Sequence, residues 1–482
     1  MNINYKTLFK QQNLINHQWV DALDKSTFDV TNPFDDSVLG KVPKAGKKET
    51  QQAIDAAHIA FQQWKQTTAK ERASLLLRWA ELIQQHKLDL AKIMTLEQGK
   101  PLKESMTEID YGNSFVTWFA EEGKRAYGDI IPTVSPDRRL LVVKQPVGVC
   151  GIITPWNFPI AMILRKCSPA FAAGCTVVIK PAEFTPFSAL ALGVLAQEAG
   201  IPAGVMNIIT GDPVSIGEEL CQNPLVSKLS FTGSTRVGKI LMKQCSDTVK
   251  KLSLELGGNA PFIVFDDADC DRALEGLLIA KFRNCGQACV GANRIYVHET
   301  VYESFVNKFV SKVKNLKTGN GLDESSNNGP LINYAAVQKV ERLVNDAVKK
   351  GAKILCGGKI DESSKNAYLP TVITHISKDA DIENEEIFGP VAAIYSFKNE
   401  QDVIALANNT RYGLASYFYS KDISRVWRVA EALEYGMVGV NQGLISNEVT
   451  PFGGIKESGY GREGSKYGID DYLNIKYVCL GI

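Results

Sequence analysis

The sequence predicts an α/β protein built on a doubly wound parallel sheet. Two observations carry that prediction. Between Leu140 and Leu256, short and nearly all-apolar runs alternate with helical stretches, the rhythm of parallel strands covered on both faces. After Gly257-Gly258 a second series of the same kind begins and runs to about residue 450. At roughly 150 residues per domain, 482 residues accommodate two large domains or three smaller ones.

The elements follow in order. Leu14–Trp19 and Phe28–Asn32 read as edge strands, the second stopped by Pro33. Lys48–Lys65 reads as a helix whose apolar side is Ile54, Ala57, Ile59, Phe61 and Trp64, and Ala69–His86 repeats the pattern. Val147–Thr154 is an apolar strand. Pro159–Ala173 is a helix closed by Gly174, and Thr176–Ile179 is the next strand. Thr185 and Pro186 form an N-cap and first-turn signal for a helix to Ala199. Val205–Ile209, Val226–Phe231 and Val249–Glu255 are strands, with helices at Val214–Cys221 and after Gly233–Gly238. The second series holds Ala260–Phe265, the helix Cys270–Phe282, Ala292–Val297 and the helix Val301–Leu316. Gly319–Asn328 is a loop. The tail Tyr467–Ile482 reads as a strand that no later helix covers, which invites pairing with another subunit.

Composition narrows the function. Lys and Arg total 54 against 53 Asp and Glu, so the net charge of +1 excludes strong global attraction to nucleic acid or an anionic membrane. The uncharged run Gln145–Leu164 contains Pro146, Pro155 and Pro159, which argues against a spanning helix. Ten cysteines include no C-x-x-C pair, so neither a metal site nor a disulfide scaffold is expected. Met1–Lys10 carries no apolar core of a secretory signal, and reduced thiols in a cytoplasm are the expectation.

Five segments carry chemistry, each with an ordinary reading beside it. Cys289, in Gly286-Gln287-Ala288-Cys289, is either a nucleophile or a small buried hydrophobe. Glu255, at a strand end before two glycines, is either a general base at the carboxyl edge of a sheet or a carboxylate facing water. The turn Gly233–Gly238 offers backbone N–H groups to a phosphate, although its spacing is not G-x-G-x-x-G. Lys180 and Glu183 either hold ribose hydroxyls or pair in a solvated loop. Asn157, between prolines and aromatics, either donates to a developing oxyanion or bonds its own turn.

Taken together, in this order, these segments resemble the NAD(P)-dependent aldehyde dehydrogenase family over essentially the whole chain. The matching motifs are Thr154–Pro159, Lys180–Glu183, Gly233–Gly238, Glu255–Gly258, Phe282–Cys289, Glu386–Pro390 and Pro451–Gly454. The tail Gly461–Ile469 is most similar to the succinate-semialdehyde dehydrogenase branch. The resemblance implies an aldehyde-dehydrogenase-like fold. It has a Rossmann-type cofactor domain (1–127 and 147–257), an α/β catalytic domain (258–455) and a small β oligomerisation arm (128–146 and 456–482). It implies Cys289 as nucleophile, Glu255 as the base that activates water, and Asn157 with the Cys289 N–H as oxyanion donors. Trp156, Lys180, Glu183, Gly233, Ser234, Glu386 and Phe388 would hold the cofactor. A carboxylate at Glu183 bonds a ribose 2′-hydroxyl and repels a 2′-phosphate, which favours NAD, while Lys180 leaves room for NADP.

Arg165 and Arg283 stand in apolar stretches, where an arginine is costly unless paired. They are either structural ion pairs or a fork for a substrate carboxylate. The branch uses arginines at the matching positions, with a serine matching Ser446, so the implied substrate is succinate semialdehyde or a similar short aldehyde with a distal carboxylate. A glutarate-semialdehyde or broad ω-oxo-acid dehydrogenase is the alternative within the class, and a non-catalytic relative the alternative outside it. Where some members carry a second cysteine two residues after the nucleophile, this chain has Gly291; Cys285 is either another redox partner or a packed helix-end residue. The implied assembly is a homotetramer or homodimer.

Overall fold

The computed structural model describes residues 3–482. Its first sheet contains β1 (Asn13–Ile15), β2 (Gln18–Val20), β7 (Val149–Ile153), β8 (Thr176–Lys180), β9 (Met206–Ile208), β10 (Val226–Thr232), β11 (Lys251–Glu255) and β21 (Gly459–Tyr460). The central order β9-β8-β7-β10-β11 is parallel throughout. Antiparallel β1 closes one edge and antiparallel β21 the other, so neither parallel edge is left open.

Alternation along the strands splits the core. Cys150, Ile152, Val177 and Ile179 face one side; Val149 and Val178 face the other. The first side packs against α2 (Ala69–Gln85), α3 (Lys87–Gln98), α4 (Leu102–Glu122), α5 (Pro159–Ala173) and α6 (Pro186–Glu198). The second packs against α1 (Lys47–Trp64), α7 (Pro213–Gln222) and α8 (Thr235–Cys245). In α1, Ile54, Ala57 and Trp64 are buried, but Ile59 is 71% exposed. Five residues past Ile54 is a rotation of about 140°, beyond the arc that faces the core. At α6 the expected Thr185 cap is not made, and its hydroxyl has no partner. The buried Glu97 carboxylate of α3 instead accepts from Phe187 N and Ser188 N, both at 2.8 Å.

The second sheet follows the order β14-β15-β16-β13-β12-β18-β19. These strands are β12 (Ala260–Val264), β13 (Ala292–His298), β14 (Lys353–Cys356), β15 (Thr371–Thr374), β16 (Val391–Phe397), β18 (Ala415–Tyr419) and β19 (Met437–Val440). All pairs but β14–β15 are parallel. The helix α9 (Cys270–Phe282) covers it and leads toward Cys289.

Smaller pairs complete the fold: β3 (Thr27–Thr31) with β4 (Val38–Pro43), and β17 (Tyr412–Gly413) with β20 (Ile455–Lys456). A three-stranded antiparallel sheet joins β5 (Asp129–Ile131), β6 (Arg138–Pro146) and β22 (Leu473–Gly481). The tail therefore differs from a single strand: Tyr467–Asp470 forms a helical turn before β22 starts. Of the segment 456–482, β21 joins the first sheet, and only β22 joins the three-stranded one. Among the described residues no helix is long and apolar enough to cross a membrane.

Candidate active site

A cleft with a cavity of about 360 Å³ lies between the two large sheets. All the sequence-predicted site residues line it except Glu255, Lys180 and Glu183. Its walls are contributed by the turn after β7, the start of α8, the loop before β13 and the segments around Glu386 and Ser446.

Cys289 is reached through a tight loop. Asn284 and Cys285 both adopt left-handed backbone (φ 52° and 56°), a conformation that side chains of this kind take at a cost and that clusters at functional sites. Buried Gln287 braces the loop, its Oε1 accepting from Ile332 N at 2.9 Å. The next neighbour is Gly258, where a β-carbon would collide with the Cys289 carbonyl, so only glycine permits this approach. Cys285 points away, buried in the cluster with Val340, Ile373 and Val391, while Cys289 packs on the β13 cluster. Burial pushes the Cys289 thiol up to about 12, opposed chiefly by the Arg165 charge.

Asn157 is buried, and its Nδ2 donates to the Gln287 carbonyl at 2.9 Å, two residues before Cys289. Its own carbonyl is gripped twice, by Lys100 Nζ at 2.6 Å and Asn284 Nδ2 at 2.8 Å. Lys100 is ion-paired at 2.5 Å with Glu108. The second oxygen of Glu108 caps α5 by accepting from Ile160 N (3.0 Å) and Ala161 N (3.1 Å). One buried pair thus fixes both the Asn157 turn and the helix that carries Arg165.

Arg165 is 1% exposed. Its Nε donates to Glu463 at 2.5 Å, its Cζ lies 4.1 Å from the Phe452 ring centroid, and its Nη1 donates to the Tyr111 hydroxyl at 3.2 Å. Glu463 also holds Lys166. Burial would raise the Glu463 carboxyl, but Lys166 and Arg165 hold it down to about 2. Arg165 is therefore a structural ion pair on one edge and a cleft residue on the other. Arg283 is different: half-buried, it lies 5.2 Å from the Phe158 ring centroid and has no ion pair or hydrogen bond among the described residues. Ser446 bonds the Tyr111 hydroxyl.

Glu255 ends β11 behind the cleft wall, buried, with Oε2 lacking any partner. Burial, then the Glu463 carboxylate, raises its carboxyl well above the usual range; Arg165, Lys166 and Arg462 oppose them. Lys180 and Glu183 form an ion pair with each other at the end of β8, the Lys buried and the Glu partly exposed.

The remaining residues form a cradle. Gly233 sits where a β-carbon would collide with the Phe231 ring, and Ser234 caps α8 through Val237 N at 3.3 Å. Glu386 accepts from Gly258 N at 3.0 Å. Phe388, itself at φ 53°, meets Trp156 edge-on at 5.5 Å. Buried Thr232 Oγ1 lines the cleft without a partner. Bare backbone at a helix start, an orphaned hydroxyl and an aromatic wall fit a dinucleotide.

Sequence reasoning missed Tyr111, Lys100 and Glu108 and assigned Glu463 no role. Each acts through a partner far along the chain, so no local spacing reveals it.

The family model described as the aldehyde dehydrogenase family matches residues 19–478. The chain is 58% identical, over the full length of both, to the succinate-semialdehyde dehydrogenase [NADP(+)] GabD of Escherichia coli K12. It is also 58% identical, again over the full length of both, to the glutarate-semialdehyde dehydrogenase of Pseudomonas putida. The crystal structure of succinate-semialdehyde dehydrogenase from Burkholderia pseudomallei superposes over 100% of both chains with a TM-score of 0.99 at 55% identity. The fold, the cleft and these matches agree: the chain belongs to the aldehyde dehydrogenase family.

Proposed function

We propose that the protein oxidises succinate semialdehyde to the carboxylic acid with NAD or NADP, using Cys289 as nucleophile. One observation carries the substrate class. Arg283, which makes no ion pair or hydrogen bond among the described residues although the buried Glu104 carboxyl feels its charge, faces the same cleft as Cys289, and Arg165 presents its free edge there too. In a largely apolar cleft an unpaired guanidinium calls for an anionic ligand. The aldehyde end reaches the thiol while the carboxylate end reaches the arginines. Glutarate semialdehyde, one methylene longer, is the second reading, favoured by the equal identity to the Pseudomonas putida enzyme.

The steps follow from the side chains. Both the Cys289 thiol and the Glu255 carboxyl are held toward their neutral forms, so each gives up its proton to solvent before it acts, Cys289 to attack as the thiolate and Glu255 to serve later as the base. Cys289 Sγ then bonds the aldehyde carbon, and the carbonyl π electrons move to oxygen. Asn157 Nδ2, already directed at this loop, and the Cys289 N–H donate to that oxyanion; such a donor is worth about 3–4 kcal/mol. Gly233, Ser234, Glu386 and Phe388 would hold NAD(P), which would supply the acceptor for the hydride that leaves the aldehyde carbon as the Cys289 thioester forms. Lys180 and Glu183 would hold its adenine-side ribose, and Trp156 packs against Phe388 on the wall the cofactor would occupy. The Cys289 thioester is then hydrolysed. Ionised Glu255 takes a proton from water, the oxygen adds to the acyl carbon, and the C–S bond breaks to return the thiolate.

The division into cofactor domain (1–127, 147–257), catalytic domain (258–455) and arm (128–146, 456–482) belongs to the same proposal. So does assembly into a dimer or tetramer through the arm. On its sheet Ile130 is 82% exposed, Ile475 75% and Tyr477 59%, an apolar surface suited to a second copy. All ten cysteines are free, in keeping with a reducing cytoplasm. The test compares kcat/KM for succinate semialdehyde, glutarate semialdehyde and butanal with each nicotinamide cofactor. A clear preference for the carboxylated aldehydes is expected; equal or better use of butanal overturns the substrate class.

A further inference from the structure

We infer that Tyr111 is a specificity-determining residue of this site, its hydroxyl completing a donor array for the substrate's distal carboxylate. The inference rests on the carboxylate reading above and names a residue that reading does not need. Tyr111 stands on α4 and lines the cleft. Its ring is fixed edge-on against the fully buried Phe115, with centroids 5.1 Å apart and planes at 88°. Its oxygen accepts from Arg165 Nη1 at 3.2 Å and bonds Ser446 Oγ.

Donor bookkeeping gives this arrangement a direction. A guanidinium only donates, so Arg165 consumes a lone pair on the Tyr111 oxygen and leaves its O–H free to turn elsewhere. Tyr111 and Ser446 own two hydroxyl hydrogens, and the bond between them uses one. Whichever of the two donates, one O–H is left without an acceptor among the described residues. The far end is anchored: Glu463 holds Arg165 through Nε, and the guanidinium carbon sits over the Phe452 ring. Either way, the chain that starts at the buried Glu463 carboxylate and passes through Arg165 leaves one spare hydroxyl hydrogen on Tyr111 or Ser446, both of which line the cleft. Arg283 adds donors in the same cleft. Such an array matches a ligand that offers only acceptors. A carboxylate satisfies it, an alkyl tail leaves it unpaired, and an ammonium tail opposes it.

Tyr111→Phe keeps the ring and its packing on Phe115 and removes only the oxygen. Arg165 Nη1 then loses its acceptor, and the Ser446 hydroxyl loses the partner that directs it. The readout is the ratio of kcat/KM for succinate semialdehyde to that for butanal, in the variant and the unaltered enzyme. A fall in that ratio of roughly tenfold, expressed mainly in KM for succinate semialdehyde, is expected for loss of a hydrogen bond to a charged group. An unchanged ratio overturns the inference, and so does an equal loss on both aldehydes, which is the mark of a structural tyrosine. Failure of the underlying reading looks different: the unaltered enzyme itself would show no preference for the carboxylated aldehyde. Ser446→Ala alone and combined with Tyr111→Phe closes the argument. The two losses should be less than multiplicative, because both remove one shared array; fully independent effects also overturn it.

Discussion

Replacing Arg283 with alanine separates recognition from stability better than any other change in the cleft. Its guanidinium has no ion pair to break, and its contact with the Phe158 ring at 5.2 Å is worth about 0.5–1 kcal/mol at a site of this exposure. Arg165 is the opposite case. Removing it leaves the buried Glu463 carboxylate with Lys166 alone, and breaking a buried pair costs about 3–5 kcal/mol. Arg283→Ala should therefore fold with a melting transition close to that of the unaltered protein. A charge-assisted hydrogen bond to a substrate carboxylate contributes about 1.5–3 kcal/mol. At about 1.4 kcal/mol per factor of ten, kcat/KM for succinate semialdehyde should fall roughly ten- to a hundredfold. The loss belongs in KM if the carboxylate is gripped equally in ground and transition states. Butanal has no carboxylate to lose, so the ratio between the two substrates should collapse by the same factor. Arg283→Lys should recover only part, because an ammonium cannot form a two-pronged contact. Steady-state nicotinamide absorbance on both aldehydes, with a thermal melt of each variant, makes the measurement. An equal loss on both, with an unchanged melt, would refute carboxylate recognition by Arg283.

Other tests address the chemistry. With the Cys289 thiol held up to about 12, the cofactor-free protein should react with iodoacetamide at Cys289 ever faster as pH rises from 7 to about 10.5; a plateau by about pH 9.5 would show an ordinary thiol. Glu255→Gln should give a burst of reduced cofactor followed by slow turnover, since acyl-enzyme forms but water is not activated. Loss of the burst itself would move Glu255 out of the base role. Glu183→Ser removes a carboxylate that repels a 2′-phosphate and releases buried Lys180 from its ion pair, so NADP should gain on NAD; an unchanged cofactor ratio would place both residues away from the ribose.

Much of this was legible because local chemistry announced it. Pro159 and Gly174 bracket α5 to the residue, since proline favours a first turn and Gly174 takes the left-handed closing position at φ 95°. Cys289, Asn157 and Glu386 were found by motif order and do line one cleft. The failures share a cause. Thr185 looked like a cap, but Glu97, ninety residues away, already supplies the acceptors. Helix α4 gave no signal because its inward face carries Glu108 and Glu122 among the apolar residues. Tyr111 matters through Ser446, 335 positions later. Arg165 posed a choice between ion pair and substrate fork, and its separate edges make both available.

The pairing of Arg165 with Glu463 also bears on how the protein comes into being. The two residues are 298 positions apart. At about 5–20 residues per second of synthesis, Arg165 exists for roughly 15–60 s before its counter-charge is made. Strand β6 waits still longer for β22, its neighbour along nine residue pairs. Throughout that interval the nascent chain exposes an unpaired strand edge and an arginine whose burial nothing yet compensates. The first sheet lacks β21 at its β11 edge for the same reason. The last thirty or so residues therefore act as a clasp that converts a largely folded chain into a finished one. Until they emerge, the intermediate is one that chaperones would recognise and that crowding would aggregate.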